Sequence, residues 1–153
     1  MAADAQTTAN NPPGTVIVRE TGLGVFQQEI IAGRHHFLAD EPVNAGGLES
    51  GLGPYELLLA ALGACTSMTL RLYADRKKLP LTRTLVRLRH SRIYGSDCAE
   101  CETKEGKLDR IECIITLEGD LDADARKRLL EIADRCPVHR TLKSEIDIRM
   151  MEG

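Results

Sequence analysis

The sequence lacks tryptophan and is poor in aromatic residues, with two phenylalanines and three tyrosines among 153 residues. It also lacks an excess of positive charge, because 20 lysines and arginines stand against 23 aspartates and glutamates, a formal net charge of -3. Proteins that bind nucleic acid use basic surfaces to contact phosphates and aromatic side chains to stack on exposed bases. We therefore expect no nucleic-acid partner.

The sequence shows neither a secretory signal at its start nor an apolar run long enough to span a membrane. Its longest apolar run, residues 57–65, covers nine residues, against the roughly 20 that cross a bilayer. We therefore expect a cytoplasmic protein with no membrane contact. The five cysteines are an odd number, which does not suit a framework of paired disulfides and favours thiols with separate roles.

The length of the chain is that of one domain. Residues 1–14 are rich in Ala, Thr, Asn and Gln and end in Pro-Pro-Gly, a composition that cannot bury enough apolar area to order itself. We expect a disordered tail at residues 1–14 and one domain at residues 15–153.

The most informative stretch, residues 51–71, predicts a helix that carries a thiol. Gly53 can cap its start, Pro54 suits the first helical position, and Glu56 falls at the third position, where a carboxylate is favoured. Because residues 57–65 are apolar on every face, we expect protein to surround this helix on all sides. Cys65 lies where the run turns polar.

The remaining elements predict an α+β fold with a two-layer sheet packed on the long helix. Predicted strands cover residues 15–20, 25–32, 35–40, 85–93, 108–118 and 145–150. A second helix is expected from a cap at Asp120 or Asp122 to about Asp134. Cys113 alternates in phase with apolar neighbours, so we expect it to point into the core.

Two further cysteines, Cys98 and Cys101, lie in a long connection between predicted strands. One such pair supplies only two of the four ligands that zinc needs, so His90, Asp97, His139 or a second subunit would have to complete a site. The acidic residues around the pair disfavour thiolates of low pKa. A zinc site, a reduced pair and a disulfide all stay open, and we expect no stoichiometric metal.

Two segments carry a resemblance to a known family. Residues 54–65 (PYELLLAALGAC) and residues 134–139 (DRCPVH) resemble the two signature segments of the OsmC/Ohr family, the osmotically induced and organic hydroperoxide resistance proteins. The resemblance extends over about residues 15–150. Residues 39–42, 99–103 and 132–142 are most similar to the branch whose members are sometimes fused to an α/β-hydrolase domain.

The resemblance implies an OsmC-like fold, an intertwined homodimer with two sites at its interface, and a thiol peroxidase without metal or organic cofactor. Cys65 would attack the hydroperoxide and become a sulfenic acid, and Cys136 would capture it as a disulfide. A dithiol reductant, for which a lipoyl protein is one candidate, would then reopen the disulfide.

Two helper residues are implied as well. Apolar burial raises the pKa of a thiol, so Cys65 needs a neighbouring cation to ionise at neutral pH, and Arg19, with Arg34 as the alternative, is the candidate. The carboxylate that orients this arginine in the family stands ten residues before the reactive cysteine, where this chain has Tyr55. Glu56 is the adjacent carboxylate, and it is a candidate both for the site and for the helix cap.

Three functional classes follow from these residues. The first is an enzyme that reduces organic hydroperoxides, and hydrogen peroxide as a further candidate substrate. The second is a non-catalytic thiol redox sensor or small-ligand-binding protein that uses the same cysteines. The third is an interaction module stabilised by zinc at the loop cysteines.

Overall fold

The computed structural model describes residues 12–102 and 105–152. Most of the predicted tail, residues 1–14, lies outside the described residues, and residues 13 and 14 form a turn. The chain divides into two compact units, one up to Leu57 and one from Leu58. The prediction of a single domain over residues 15–153 stays a prediction.

The first unit contains an antiparallel sheet of three strands in the order β1-β2-β3. These are β1 (Val16–Glu20), β2 (Gln28–Ala32) and β3 (His35–Ala39). All three were predicted, but β2 begins at Gln28 because the chain before it, including the exposed Val25, forms the connection from β1. The hairpins are local pairings of β-branched runs, which is why the sequence predicts them well.

The loop after β3 is organised by the buried carboxylate of Asp40, which is only 3% exposed. It accepts hydrogen bonds from the amides of Glu41, Leu48 and Ser50 at 2.9, 3.0 and 3.3 Å, and from the Ser50 hydroxyl at 2.7 Å. Burial alone would raise the pKa of Asp40, but these donors outweigh it and hold the pKa below its ordinary value.

We expect Asp40→Asn to lower the thermal unfolding midpoint at pH 7, because the amide nitrogen of asparagine would face donors. Since the pKa of Asp40 is depressed in the folded state, its stabilising effect is present above the unfolded pKa, near about 3.9. That effect is lost as the pH falls through the folded pKa. The gap between the midpoints of wild type and variant should therefore shrink below about pH 4. The exposed Asp120→Asn is the control, and a gap that stays constant with pH contradicts the assignment.

The second unit contains most of the long helix α1 (Pro54–Lys77) and a long antiparallel hairpin of β4 (Leu81–Tyr94) and β5 (Lys107–Gly119). Helix α2 (Ala123–Ala133) follows, and the side chain of its N-cap residue accepts a hydrogen bond from the third helical amide at 2.7 Å. That residue is Asp122, one of the two predicted caps. A short helix, α3 (Pro137–Leu142), completes the set.

The core of this unit joins the C-terminal half of α1 to α2 and to the first and last residues of the hairpin. Leu70, Ala74 and Leu129 are completely buried. The other members of the cluster are Leu81, Leu117, Leu121, Ile132 and Ala133. The helix and strand order confirms the predicted α+β class, with one long helix and two small sheets.

A single chain covers α1 only in part, so the expectation that protein surrounds this helix on all sides stays a prediction about an assembly of chains. Within residues 57–64 only Leu62 and Gly63 are buried, whereas Leu59 is half-buried and Ala60 and Ala64 are exposed. One chain of this size has too few elements to cover every face of a central helix. The apolar faces of α1 therefore need a cover that the chain does not itself supply.

By length and composition α1 is also a helix that could cross a membrane, which corrects the estimate from the nine-residue run. An 18-residue window within Pro54–Lys77 has a mean hydropathy of 1.4, and 22% of that window is buried. The window exceeds the nine-residue run because the helix continues past Cys65 and the window also includes polar residues such as Thr66 and Ser67. A central helix of a globular domain has the same length and composition, so the absence of membrane contact stays a prediction.

Two local expectations are also corrected, and Pro137 has a role that the sequence analysis did not assign. Cys113 shares a face of β5 with apolar residues as predicted, but its side chain is exposed because that face borders a cavity. Residues 145–150 pair with no strand among the described residues, and Ile148 and Met150 are 74% and 93% exposed. Pro137 begins a new helix instead of only ending α2, because proline suits the first helical position.

Candidate functional site

The structure brings together the two cysteines that the sequence predicts as a pair. Cys65 lies near the middle of α1 and is half-buried, and Cys136 is the N-cap residue of α3 and is completely buried. Both are free thiols, and each one shifts the pKa of the other. The thiol at the start of α3 and the thiol in the middle of α1 therefore form a dithiol pair.

Hydrogen-bond donors surround the sulfur of Cys136. Burial would raise its pKa, but the backbone amide of His139, 3.5 Å from Sγ, the thiol of Cys65 and the hydroxyl of Thr66 lower it. The amide of Val138 acts in the same direction, and the net pKa of Cys136 lies below its ordinary value. Thr66 is itself buried, and no sequence pattern identifies it as a site residue.

Cys65 has the opposite shift. Burial raises its pKa and the interaction with Cys136 raises it further, while the amide of Val138 opposes both. The raised pKa therefore favours the protonated thiol of Cys65. To react as a thiolate, Cys65 needs either a cation or transfer of its proton to Cys136.

An apolar cavity of about 580 Å³ lies beside Thr66 and reaches along β5. Its apolar and thiol lining comprises Leu62, Ile111, Cys113, Ile115, Leu130, Ala133 and Leu142. Partial burial raises the pKa of Cys113, and negative charge at Asp134 and Cys136 raises it further. The cavity is suited to an apolar ligand close to the dithiol.

The rim of this cavity is polar. Asp134, His139 and Lys143 line it and also line a second, more polar opening of about 690 Å³ around α3. His139 is 28% exposed, and its Nδ1 lies 3.8 Å from a carboxylate oxygen of Asp134. A ligand with an apolar body and a polar end would therefore meet both kinds of surface.

Arg19 lies in the first unit, on β1, where a carboxylate that the sequence did not suggest holds it. Its Nη2 and Nε lie 2.6 and 2.7 Å from Oε2 of Glu29, the residue directly opposite on β2. Nδ1 of His36 lies 3.2 Å from the other oxygen of Glu29. Hydrogen bonds from His36 and Arg19 lower the pKa of Glu29. The register of the β1–β2 hairpin was the signal that could have identified Glu29. Arg34, the alternative candidate, is exposed in the turn between β2 and β3.

Glu56 also lies in the first unit, and its side chain caps α1. Its Oε2 accepts a hydrogen bond from the amide of Gly53 at 2.9 Å, as the capping interpretation predicts. Of the four predicted site residues, Arg19 and Glu56 thus lie in one unit, and Cys65 and Cys136 in the other. The assignment of Arg19 and Glu56 to the thiol site stays a prediction.

The loop pair is a disulfide. Cys98 and Cys101 are bonded, with their Cα atoms 5.4 Å apart. In this oxidised form the two sulfurs are not zinc ligands. In the part of the chain that the structure describes, no group of three or more His, Cys, Asp or Glu side chains is placed to hold a metal ion.

Comparison with known proteins supplies the family. Residues 47–151 match the model of the OsmC-like protein family. No curated protein sequence matches. A solved structure of an osmotic stress induced and detoxification response protein from Psychrobacter arcticus is similar at TM-score 0.67 and 18% identity, covering 87% of this chain and 90% of that one.

Two organic hydroperoxide resistance proteins also share the fold. The protein from Legionella pneumophila aligns at TM-score 0.61 and 20% identity over 90% of this chain and 95% of its own. OhrB of Bacillus subtilis aligns at 0.58 and 20% over 87% and 92%. The family match covers more than half of the sequence, and these folds agree with it, so the chain belongs to the OsmC-like family.

Proposed function

We propose that this chain is a thiol peroxidase that reduces organic hydroperoxides through a cycle of Cys65 and Cys136. The observation that carries the proposal is the pair of free thiols that shift each other's pKa, with an apolar cavity that is lined by Thr66, the residue after Cys65. The family match and the similar folds of two organic hydroperoxide resistance proteins support a peroxide-related role.

In the proposed cycle the thiolate of Cys65 attacks the O–O bond of the hydroperoxide. The alcohol leaves with a proton, and Cys65 becomes a sulfenic acid. The thiol of Cys136 then attacks the sulfenic sulfur, which releases water and forms the Cys65–Cys136 disulfide. A dithiol reductant reopens this bond by exchange and becomes a disulfide itself. In sum, one hydroperoxide and one dithiol give one alcohol, one water and one disulfide.

Exposure favours Cys65 as the attacking sulfur, although Cys136 has the lower pKa. A hydroperoxide cannot reach the completely buried Cys136 directly, whereas Cys65 is half-buried. Transfer of the Cys65 proton to Cys136 gives the reactive thiolate at Cys65. When Cys136 later attacks the sulfenic sulfur, it gives up this proton to the hydroxide that leaves as water. A cation such as Arg19, oriented by Glu29, would stabilise the thiolate of Cys65 and so keep the transferred proton on Cys136.

The test is peroxide-dependent oxidation of a dithiol, with cumene hydroperoxide and hydrogen peroxide compared side by side. Because the cavity is apolar, we expect kcat/KM to favour the organic substrate by at least about tenfold. Leu130→Asn, which places an amide in the cavity lining, should reduce that preference. Leu23→Asn, at an exposed leucine that is neither in the lining nor on α1, should not. Equal rates for both peroxides in wild type contradict the assignment of the cavity to the substrate.

A second candidate function is a non-catalytic redox sensor or ligand-binding protein. The burial that raises the pKa of Cys65 favours it, because a protonated thiol reacts slowly. A sensor would form the Cys65–Cys136 disulfide once, in proportion to added peroxide, without continued consumption of dithiol. The same assay separates the two functions.

The proposed enzyme works as a cytoplasmic homodimer with a protein or small-molecule dithiol as its reductant. The uncovered apolar faces of α1 support the dimer. No cofactor, nucleic acid or membrane enters the cycle.

A further inference from the structure

The Cys98–Cys101 disulfide lies at the far end of the β4–β5 hairpin, in a connection that the proposed peroxidase cycle does not use. The strands end at the facing pair Tyr94 and Lys107, and a single turn of helix, Gly95–Asp97, leads into Cys98. Both cysteines are half-buried, and the two residues between them are exposed. Solvent thiols can therefore approach the bond.

This disulfide contributes little to the fold. It closes a loop with only two residues between its cysteines, and the stabilisation from a cross-link grows with the size of the loop it closes. The base of the connection is closed without it, because the amide of Gly95 donates to the carbonyl of Gly106 at 2.9 Å. The hairpin itself is paired from Leu81 to the Tyr94–Lys107 pair. Reduction should therefore leave the hairpin in place.

We propose that Cys98–Cys101 is a second redox centre, which accepts electrons from a dithiol carried on a positively charged partner. A thiolate of the partner attacks one sulfur of the bond, which forms a mixed disulfide and frees the other sulfur. The second partner thiol then displaces the first cysteine. The partner becomes a disulfide, and its two protons end on Cys98 and Cys101.

The charge of the partner is inferred from the side chains around the bond. Residues 97–102 contain three acidic side chains, all exposed, and no basic one: Asp97, Glu100 and Glu102. In the sequence, the whole connection 95–106 has four acidic residues and one basic residue, Lys104, which lies outside the described residues. At the base of the loop, Lys107 lies over the ring of Tyr94 and Arg110 donates to a backbone carbonyl. A negative surface repels anionic thiols and attracts cationic ones.

The test uses two small thiols of opposite charge on the full chain. Native protein is treated with cysteamine or with 2-mercaptoethanesulfonate at equal thiolate concentration, and Cys98 and Cys101 are followed by alkylation and peptide mass spectrometry. We expect cysteamine to reduce the bond about tenfold faster at low ionic strength, with the advantage shrinking as salt is added. Glu100→Gln should lessen the preference, whereas Glu112→Gln, on β5, should leave it unchanged.

Circular dichroism and the thermal unfolding midpoint complete the experiment. We expect both to be the same before and after reduction, because the disulfide carries no structural role in the proposal. Equal rates for the two thiols, or reduction that occurs only in denaturant, overturns it. The mass spectra report the alkylation of Cys98 and Cys101 on peptides that do not contain Cys65 or Cys136. The outcome therefore does not depend on the peroxidase proposal.

Discussion

Cys65→Ser should abolish reaction with organic hydroperoxide, whereas Cys136→Ser should react once and stop. A serine hydroxyl at position 65 cannot attack the O–O bond, so turnover falls by at least about 10³-fold. Without the thiol of Cys136, the sulfenic acid at Cys65 has no neighbouring thiol to form a disulfide with, and it accumulates. One equivalent of alcohol per chain is then the expected yield.

A dimedone-type reagent and peptide mass spectrometry measure this directly, by locating the sulfenic acid. The matched control is the double variant Cys98→Ser/Cys101→Ser, which should turn over normally with a small dithiol such as dithiothreitol. If Cys136→Ser is inert and Cys65→Ser still forms a sulfenic acid, the two roles are reversed. That outcome would mean that the lowered pKa of Cys136 matters more than its burial.

The second large effect concerns association, and we expect the protein to sediment as a dimer of 16.8 kDa chains at micromolar concentration. The groove between α1 and β4, of about 330 Å³, is lined by small and apolar residues of both elements, with Ala60 and Ala64 on its helical side. An arginine at Ala60 should block the close approach of a second chain. A stable interface of standard size buries about 1,600 Å² of surface. An arginine buried in it without a partner loses its hydration, which strongly destabilises the interface.

Sedimentation velocity and thermal unfolding at several protein concentrations test this prediction. The unfolding midpoint of wild type should rise with concentration, because association stabilises only the folded state. Ala60→Arg should be monomeric and unfold at a lower temperature, and Ala123→Arg, at the exposed start of α2, should behave as wild type. A wild-type monomer that stays folded at micromolar concentration removes the dimer from the proposal.

Local signals account for most of the fold that the sequence predicted. The start of α1 is determined by Gly53, Pro54 and Glu56, all within one turn, and the cap of α2 by Asp122. The strand expected at residues 145–150 failed for a different reason. Its alternation of apolar and polar residues is real, but a strand also needs a neighbour to pair with, and the pattern of one segment carries no information about that neighbour.

The site was less predictable than the fold. Cys65 and Cys136 were paired by resemblance, because no local rule connects cysteines that lie far apart in sequence. Glu29 could have been found from hairpin register, since it faces Arg19 across two strands. Thr66 could not, because its hydrogen bond to Cys136 depends on how α3 packs against α1.

The position of Cys136 at the start of α3 has a mechanical consequence. The sulfur that would close the disulfide is the same atom that accepts the amide of His139 and so begins the helix. A disulfide sulfur is a weaker acceptor than a thiolate, so in the proposed cycle we expect each turnover to loosen and then restore the first turn of residues 137–142. A reductant could therefore distinguish the spent protein from the ready one by the order of a single helical turn.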